Sequence, residues 1–437
     1  MNTNTPTTTR PPLETLAWVN QRCEWYGQTG QNNLTVRKTY GKDAIRYLRC
    51  QACGSAFSER KNTALWNTKN GEAKAITVGE HLAEGWSLKG TARLVRVDPS
   101  TVRRLNQRIG EHGGTFHQER VQALKVEMLE ADERHGFASE KRQPVWEAEL
   151  MEPMSKFIVS HVQGQRDETL IRRLLSDGAS RLANRHDLVL MTDGEASYAS
   201  LFPELFGQPY RPGRHGSRGR WPQWRFRIPR TLAHVQIVKQ REGGRVTLVD
   251  IRYTHGSQKR VNQALERVGY LTPNTSAIER RNGTARRMSA HQVRKSLAFS
   301  RRPDTKLALG RWGVTVYNWS RPHRALPHSL TRPSGKKSTS PGLRRWLWGW
   351  LIISSPFRRF SLPRCFHPVV GDNLMALPKS PPYLNRDLSY TPDTVGEPQG
   401  RFRRQANVAG RKPRDAFEPV EHLLTSGERV PYSSLLR

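Results

Sequence analysis

The chain has 437 residues, with 72 Lys+Arg against 38 Asp+Glu, for a formal net charge of +34. That length allows two to four domains, and the charge points to a polyanionic partner, most directly nucleic acid. No apolar run reaches the roughly 18 residues of a membrane span; the longest, Trp346–Ile353, stops short.

In chain order, residues 1–15 are polar and Thr-rich and read as disordered, with no apolar core of a secretory leader. Only four cysteines are present, too few for a disulfide framework, so a reducing, cytoplasmic compartment is expected. Three of the four fall within residues 16–70. Cys50-Gln-Ala-Cys53 places two thiolates two residues apart, a spacing that can share one tetrahedral Zn²⁺, and Gly54 lets the backbone turn. Cys23 offers a third ligand. A closed structural site takes four, so two readings stand: a zinc-ribbon-like module, or a degenerate ribbon held by Trp18, Trp25, Tyr26 and Phe57. Redox chemistry is not expected, because no thioredoxin-like unit surrounds the pair.

Residues 74–112 read as a helix-turn-helix. Ile76–Leu82 forms a first helix, and Ser87 caps a second over Leu88–Leu94. Val97-Asp-Pro-Ser100 is a turn with fresh helix-start chemistry. The third helix turns Val102, Leu105 and Ile109 inward and Arg103, Arg104, Gln107 and Arg108 outward, as a recognition helix in a major groove does. The plainer alternative is a three-helix packing unit with a solvated basic face.

Residues 120–325 alternate strand-like and helix-like segments. Strands are expected over Val126–Asp132, Pro144–Met151 and Phe157–Val162. An amphipathic helix follows over Asp167–Leu182, then a short buried strand, Leu188–Met191, and at once Thr192-Asp193-Gly194. Arg211–Arg230 carries seven arginines with Trp221, Trp224 and Phe226 among them. That mixture suits backbone contact plus base stacking, or equally a solvated loop. A hairpin over His234–Tyr253 precedes a helical stretch containing Glu279. Three strands, a helix, a strand and a later helix is the order of a ribonuclease H-like α/β fold. Asp132, Asp193 and Glu279 sit where distant carboxylates can converge on two Mg²⁺ or Mn²⁺ ions about 4 Å apart, for phosphodiester displacement. Glu130, Glu133 and Glu195 are nearby acids, Glu130 on the same strand face as Asp132.

The local strings sharpen this. Ala131-Asp-Glu133, Met191-Thr-Asp-Gly-Glu-Ala-Ser-Tyr198 and Ile278-Glu-Arg-Arg-Asn-Gly-Thr-Ala-Arg-Arg287 resemble the three acidic motifs of insertion-sequence DDE transposases, most of all the family named after insertion sequence one. Glu279, Asn282 and Arg286 match that family's Glu-Arg-x-Asn-x-x-x-Arg string. Val293–Ser300, Tyr317-Asn318 and Arg321-Pro-His323 are also similar, and the resemblance covers residues 18–327. The N-terminal cysteines resemble the family's zinc ribbon, where two cysteines five apart precede a Tyr-Gly turn; here Trp18 stands in the first cysteine's place.

The resemblance implies metal-dependent cleavage and strand transfer of an insertion sequence. It implies Asp132, Asp193 and Glu279 as metal ligands, and His234 and Lys239 near the site. Asn282 would orient Glu279 or a substrate oxygen, and Arg286 would hold a phosphate bidentately. The partners would be double-stranded transposon ends and target DNA, bound by a homo-oligomer on the nucleoid. Two other functions stay open: a non-catalytic helix-turn-helix regulator, and a hydrolytic nuclease on the same fold. Residues 326–437 are irregular and rich in proline. The family-like ending is absent there, but one codon choice for Arg345–Ile353, read in a shifted frame, gives Val-Ala-Val-Gly-Leu-Ala-Asp-His, so a decayed copy that leaves its ancestral frame near residue 340 is expected. The nucleotide sequence of the gene tests that expectation.

Overall fold

The computed structural model describes residues 12–16, 18–213, 220–293, 297–321, 328–331 and 337–340. All of them fall in one compact unit, Met1–Gly371; residues 341–437, which hold the stretch beyond the expected frame change, lie outside the described residues. The segment expected to be disordered, 1–15, also lies mostly outside them, though Leu13–Thr15 forms a short 3-10 turn.

The cysteine-bearing segment is a three-stranded antiparallel sheet of β1 (Leu34–Tyr40), β2 (Ile45–Cys50) and β3 (Ala56–Ser58), in that order. Its small core gathers Leu16, Val19, Leu34, Leu48, Cys23 and Cys50 around Trp18, whose ring meets Phe57 edge-on at 4.8 Å.

Three helices follow: α1 (Glu72–Ala83), α2 (Leu88–Val95) and α3 (Pro99–Arg120). Their starts obey simple chemistry. The Ser87 hydroxyl accepts from the Gly90 amide at 3.0 Å, Asp98 accepts from the Ser100 amide at 2.7 Å, and Pro99 opens α3 where its missing N–H costs nothing. Val78, Leu82, Ala92, Val102, Leu105 and Ile109 form the shared core. Helix α3 does not stop near residue 112. It runs on to Arg120 and packs along the last long helix, Pro303–Trp319, in a core that includes Phe116, Ile158, Trp312 and Val316. A Cβ on Gly110 would come within 2.4 Å of the Ala308 carbonyl oxygen, so only glycine permits this crossing.

The remaining elements are β4 (Met128–Arg134), the small hairpin β5 (Phe137–Ala138) and β6 (Glu140–Pro144), β7 (Trp146–Glu152), β8 (Phe157–Gly164), α4 (Glu168–Ser180), β9 (Leu188–Thr192), α5 (Ala196–Phe206), the hairpin β10 (Gln208–Tyr210) and β11 (Arg225–Arg227), β12 (Leu232–Glu242), β13 (Arg245–His255), α6 (Gln258–Val268), α7 (Ser276–Met288), α8 (Pro303–Trp319), and the hairpin β14 (His328–Thr331) and β15 (Lys337–Ser340). Six strands form one mixed sheet, ordered β13-β12-β9-β4-β7-β8, with β9 parallel to both β4 and β12. This mixed α/β arrangement is compatible with a ribonuclease H-like fold.

Strand β9 shows why its run is continuously apolar. Leu188 and Leu190 join the core under α4 and α5, while Val189 and Met191 join the core under α6 on the opposite face. Because β4 and β9 are parallel, their carboxyl ends open at the same edge of the sheet, the usual place for a ligand crevice in such sheets.

Candidate active site

At that edge lies a cavity of about 630 Å³, lined by Asp132 and Glu133 from β4, Asp193 and Glu195 after β9, Lys239 from β12, and Glu279, Asn282 and Arg286 from α7. Oxygens of Asp132, Glu133 and Asp193 lie within 4.8 Å of one another. Glu279, in the first turn of α7, borders the same cavity; its carboxylate accepts from Lys239 and, at 2.9 Å, from the Thr275 hydroxyl. The structure therefore brings Asp132, Asp193, Glu279, Asn282 and Arg286 to one place and adds Glu133.

The crowding has an electrostatic consequence. Burial first, and then the neighbouring Asp193 carboxylate, push Asp132 up to about 6. The same two causes push Glu133 up to about 8, against the opposing hydrogen bond from Tyr198. Asp193 is raised too, by burial and by Glu195 and Glu279. Such a group cannot hold its full charge unaided. A divalent cation relieves that repulsion, and hard carboxylate oxygens are the donors that Mg²⁺ and Mn²⁺ take, so the residues present fit such an ion.

Asp132 is also tightly oriented. Its Oδ1 accepts from the Glu133 amide at 2.8 Å and its Oδ2 from the Asn282 side-chain amide at 2.7 Å. The Asn282 carbonyl in turn accepts from Arg134 at 2.9 Å. Asn282 thus clamps Asp132 rather than Glu279. Arg134 is fully enclosed and held by Glu147 at 2.9 Å and Glu149 at 2.8 Å on β7. Arg281 reaches Glu149 at 3.0 Å, and Lys306 of α8 reaches Glu147. Burial alone would raise Glu147, but Lys306, His161 and Arg134 outweigh it and hold its carboxyl well below the usual range. Glu149 is likewise held near 2, where Arg134 and Arg281 override burial. A buried ionic frame beneath the cavity therefore ties β4, β7, α7 and α8 together.

The other nearby residues divide. Glu130 shares the strand face of Asp132 but does not line the cavity: fully buried, it accepts from the Ile278 amide at 2.8 Å and so caps α7 from the adjacent strand. His234 lies behind the site, between the Thr192 hydroxyl at 3.1 Å and the Phe202 ring; burial and then His255 push it down to about 3. Arg166 spans Glu133 and Glu195 at 3.7 Å each.

In the β1–β3 module, the sulfurs of Cys23, Cys50 and Cys53 converge within 4.8 Å. The Asn33 amide donates to Cys50 at 3.4 Å and the Asn20 amide to Cys53 at 3.7 Å. Burial opposes ionisation of Cys53, but hydrogen bonds centred on Ser55 prevail and bring its thiol down to about 7. Three soft donors suit Zn²⁺, and Trp18 fills the core beside them. On α3, Arg103 and Arg104 are exposed, Gln107 bonds Glu111 at 2.7 Å, and Arg108 turns back to the Trp66 carbonyl.

No protein-family model and no curated protein matches the sequence. Among solved structures, the crystal structure of the Mos1 strand transfer complex matches with a TM-score of 0.14 and 10% identity, over 30% of this chain and 53% of that chain. This chain thus spans about half the length of that chain.

Proposed function

We propose that this protein is a DDE-type DNA transposase that cleaves and joins the strands of an insertion sequence in a divalent-metal-dependent reaction. The observation that carries this reading is the convergence of Asp132, Glu133, Asp193 and Glu279 on one cavity at the carboxyl edge of a mixed sheet. The motif strings shared with the family named after insertion sequence one fall on those same elements.

Asp132, Asp193 and Glu279 would hold Mg²⁺ or Mn²⁺, with Glu133 as an added donor. When bound, such ions supply activation of a water or 3′-hydroxyl and stabilisation of the leaving oxygen. The chain's own part is positional. Asn282 fixes the Asp132 carboxylate, Lys239 steers Glu279, and Arg286 receives a DNA phosphate at the cavity rim. Residues 16–70 serve as a zinc-ribbon-like module and residues 74–112 as a helix-turn-helix that places Arg103 and Arg104 against duplex DNA, while residues 120–325 carry the chemistry. The protein acts as a homo-oligomer on transposon ends and target DNA, in the cytoplasm on the nucleoid.

A Mg²⁺-dependent strand-transfer assay tests the reading. Asp193→Asn is expected to lower transfer more than about 100-fold, since even outer-shell changes at metal sites cost 10- to 100-fold, while DNA binding persists. Cleavage without joining by the wild type would indicate a nuclease instead. Metal-independent function of residues 1–115 alone would indicate a regulator.

A further inference from the structure

We infer that the β10–β11 hairpin is a stacking platform for unpaired bases of a DNA strand that leaves the acidic cavity. This rests on the function proposed above and names a second contact for the same substrate.

Among the described residues from Gln208 to Arg230 there are five arginines, Arg211, Arg220, Arg225, Arg227 and Arg230, and no Asp or Glu, together with Tyr210, Trp221, Trp224 and Phe226. Every residue of β10 and β11 is exposed. The four rings keep 41%, 48%, 54% and 39% of their surface accessible. The pairing sets Tyr210 opposite Arg225 and Pro209 opposite Phe226, so the hairpin presents rings on both faces. Arg211 holds its guanidinium over the Trp221 ring at 4.8 Å and donates to the Pro222 carbonyl at 3.1 Å.

Rings so placed do little for the fold. Burying apolar area stabilises by roughly 25 cal/mol per Å², and these side chains leave much of that gain unused. A two-stranded hairpin is itself marginal without a hydrophobic face. What four exposed rings among arginines do well is stack on bases while the guanidinium groups meet phosphates. Base–aromatic stacking tolerates any sequence, because every base offers a π-face. Paired bases hide their faces inside the duplex, so the platform selects unpaired ones.

Its position fits the cavity. Helix α5 is capped by Glu195, which lines the cavity, and its last residue, Phe206, is separated from β10 by Gly207 alone. Eleven helical residues at 1.5 Å each span about 16 Å. The hairpin therefore stands within reach of a strand a few nucleotides beyond the acids.

The test uses the full chain in EDTA, so that no metal chemistry intervenes, and reads fluorescence anisotropy. Three labelled probes of about 16 nucleotides are compared: a single strand, its duplex, and an abasic single strand with the same phosphates. The wild type is expected to bind the single strand at least about tenfold more tightly than the abasic strand, a factor that corresponds to 1.4 kcal/mol of stacking. The double variant Trp224→Ala/Phe226→Ala loses that preference and keeps its duplex affinity within about twofold, and Trp224→Phe with Phe226→Tyr restores it. Equal binding of abasic and ordinary strands by the wild type would overturn the platform, as would an unchanged preference in the double variant. So would a change in oligomeric state in the variant, which marks a protein interface. If strand transfer is absent while the single-strand preference holds, the proposed function falls and the platform stands.

Discussion

Asn282 is the residue whose removal is most informative, because it touches Asp132 and Arg134 but accepts no charge itself. Asn282→Ala is expected to lower Mg²⁺ affinity about 10- to 100-fold with the fold intact, as read by calorimetric titration; unchanged affinity would remove it from the site. The raised carboxylates set a second expectation. Glu133 near 8 and Asp132 near 6 carry protons in the folded chain that the unfolded chain releases at lower pH. Without a divalent ion, these groups stabilise the fold fully below the ordinary carboxylate range, and that contribution is lost as pH rises through about 6 to 8. Mg²⁺ must displace those protons, so its affinity rises over the same window. Thermal midpoints at pH 6 and 8 are therefore expected to show a larger Mg²⁺-induced rise at pH 8, and an equal rise at both would contradict the assignment. Asp132, Asp193 and Glu279, which border one cavity, stood out in the sequence because each lies near the carboxyl end of a strand or at a helix start, although β4 runs on to Arg134 rather than ending at Asp132. Glu133 was not, because strict strand alternation sends it to the opposite face from Asp132. Arg134 was hidden for another reason: its partners arrive through the antiparallel register of β7, where Glu149 lies opposite Asp132 and Glu147 opposite Arg134.

At the scale of elements, local signals located most starts and few ends. Asp98 and Pro99 mark the start of α3, but its length comes from packing on α8, which no local signal encodes. Gly110 is the hinge of that contact. Gly110→Ala would force a methyl into the Ala308 backbone, and a loss of about 1–3 kcal/mol is expected, measurable by urea denaturation; a neutral effect would mean the helices do not cross there. Helix α5 was not expected at all. Pro203 lies inside it and cannot donate to the Ala199 carbonyl. The structure compensates from a distance, since the His255 side chain bonds that same carbonyl at 2.8 Å. A helix rescued by a residue from β13 leaves no trace in its own sequence. The continuous apolar run of β9 and the amphipathic face of α4 were plain by contrast, because each buries its side chains in a pattern its own residues state.

For the whole molecule, the net charge of +34 is the dominant fact. Phosphate neutralisation releases counterions, so DNA affinity is expected to fall about 10³- to 10⁵-fold between 50 and 200 mM salt if six to ten phosphates are engaged; a flat dependence would contradict a polyanion partner. The proposed function rests on one idea, that carboxylates drawn from distant segments of a cationic chain form a divalent-metal centre. The most direct measurement is calorimetric Mg²⁺ titration of the full chain beside its Asp193→Asn variant, each carried through a strand-transfer assay. Saturable Mg²⁺ binding and transfer in the wild type, both lost in the variant, is the expected result. Mg²⁺ binding of equal strength in the two proteins, or undiminished transfer by Asp193→Asn, would contradict it.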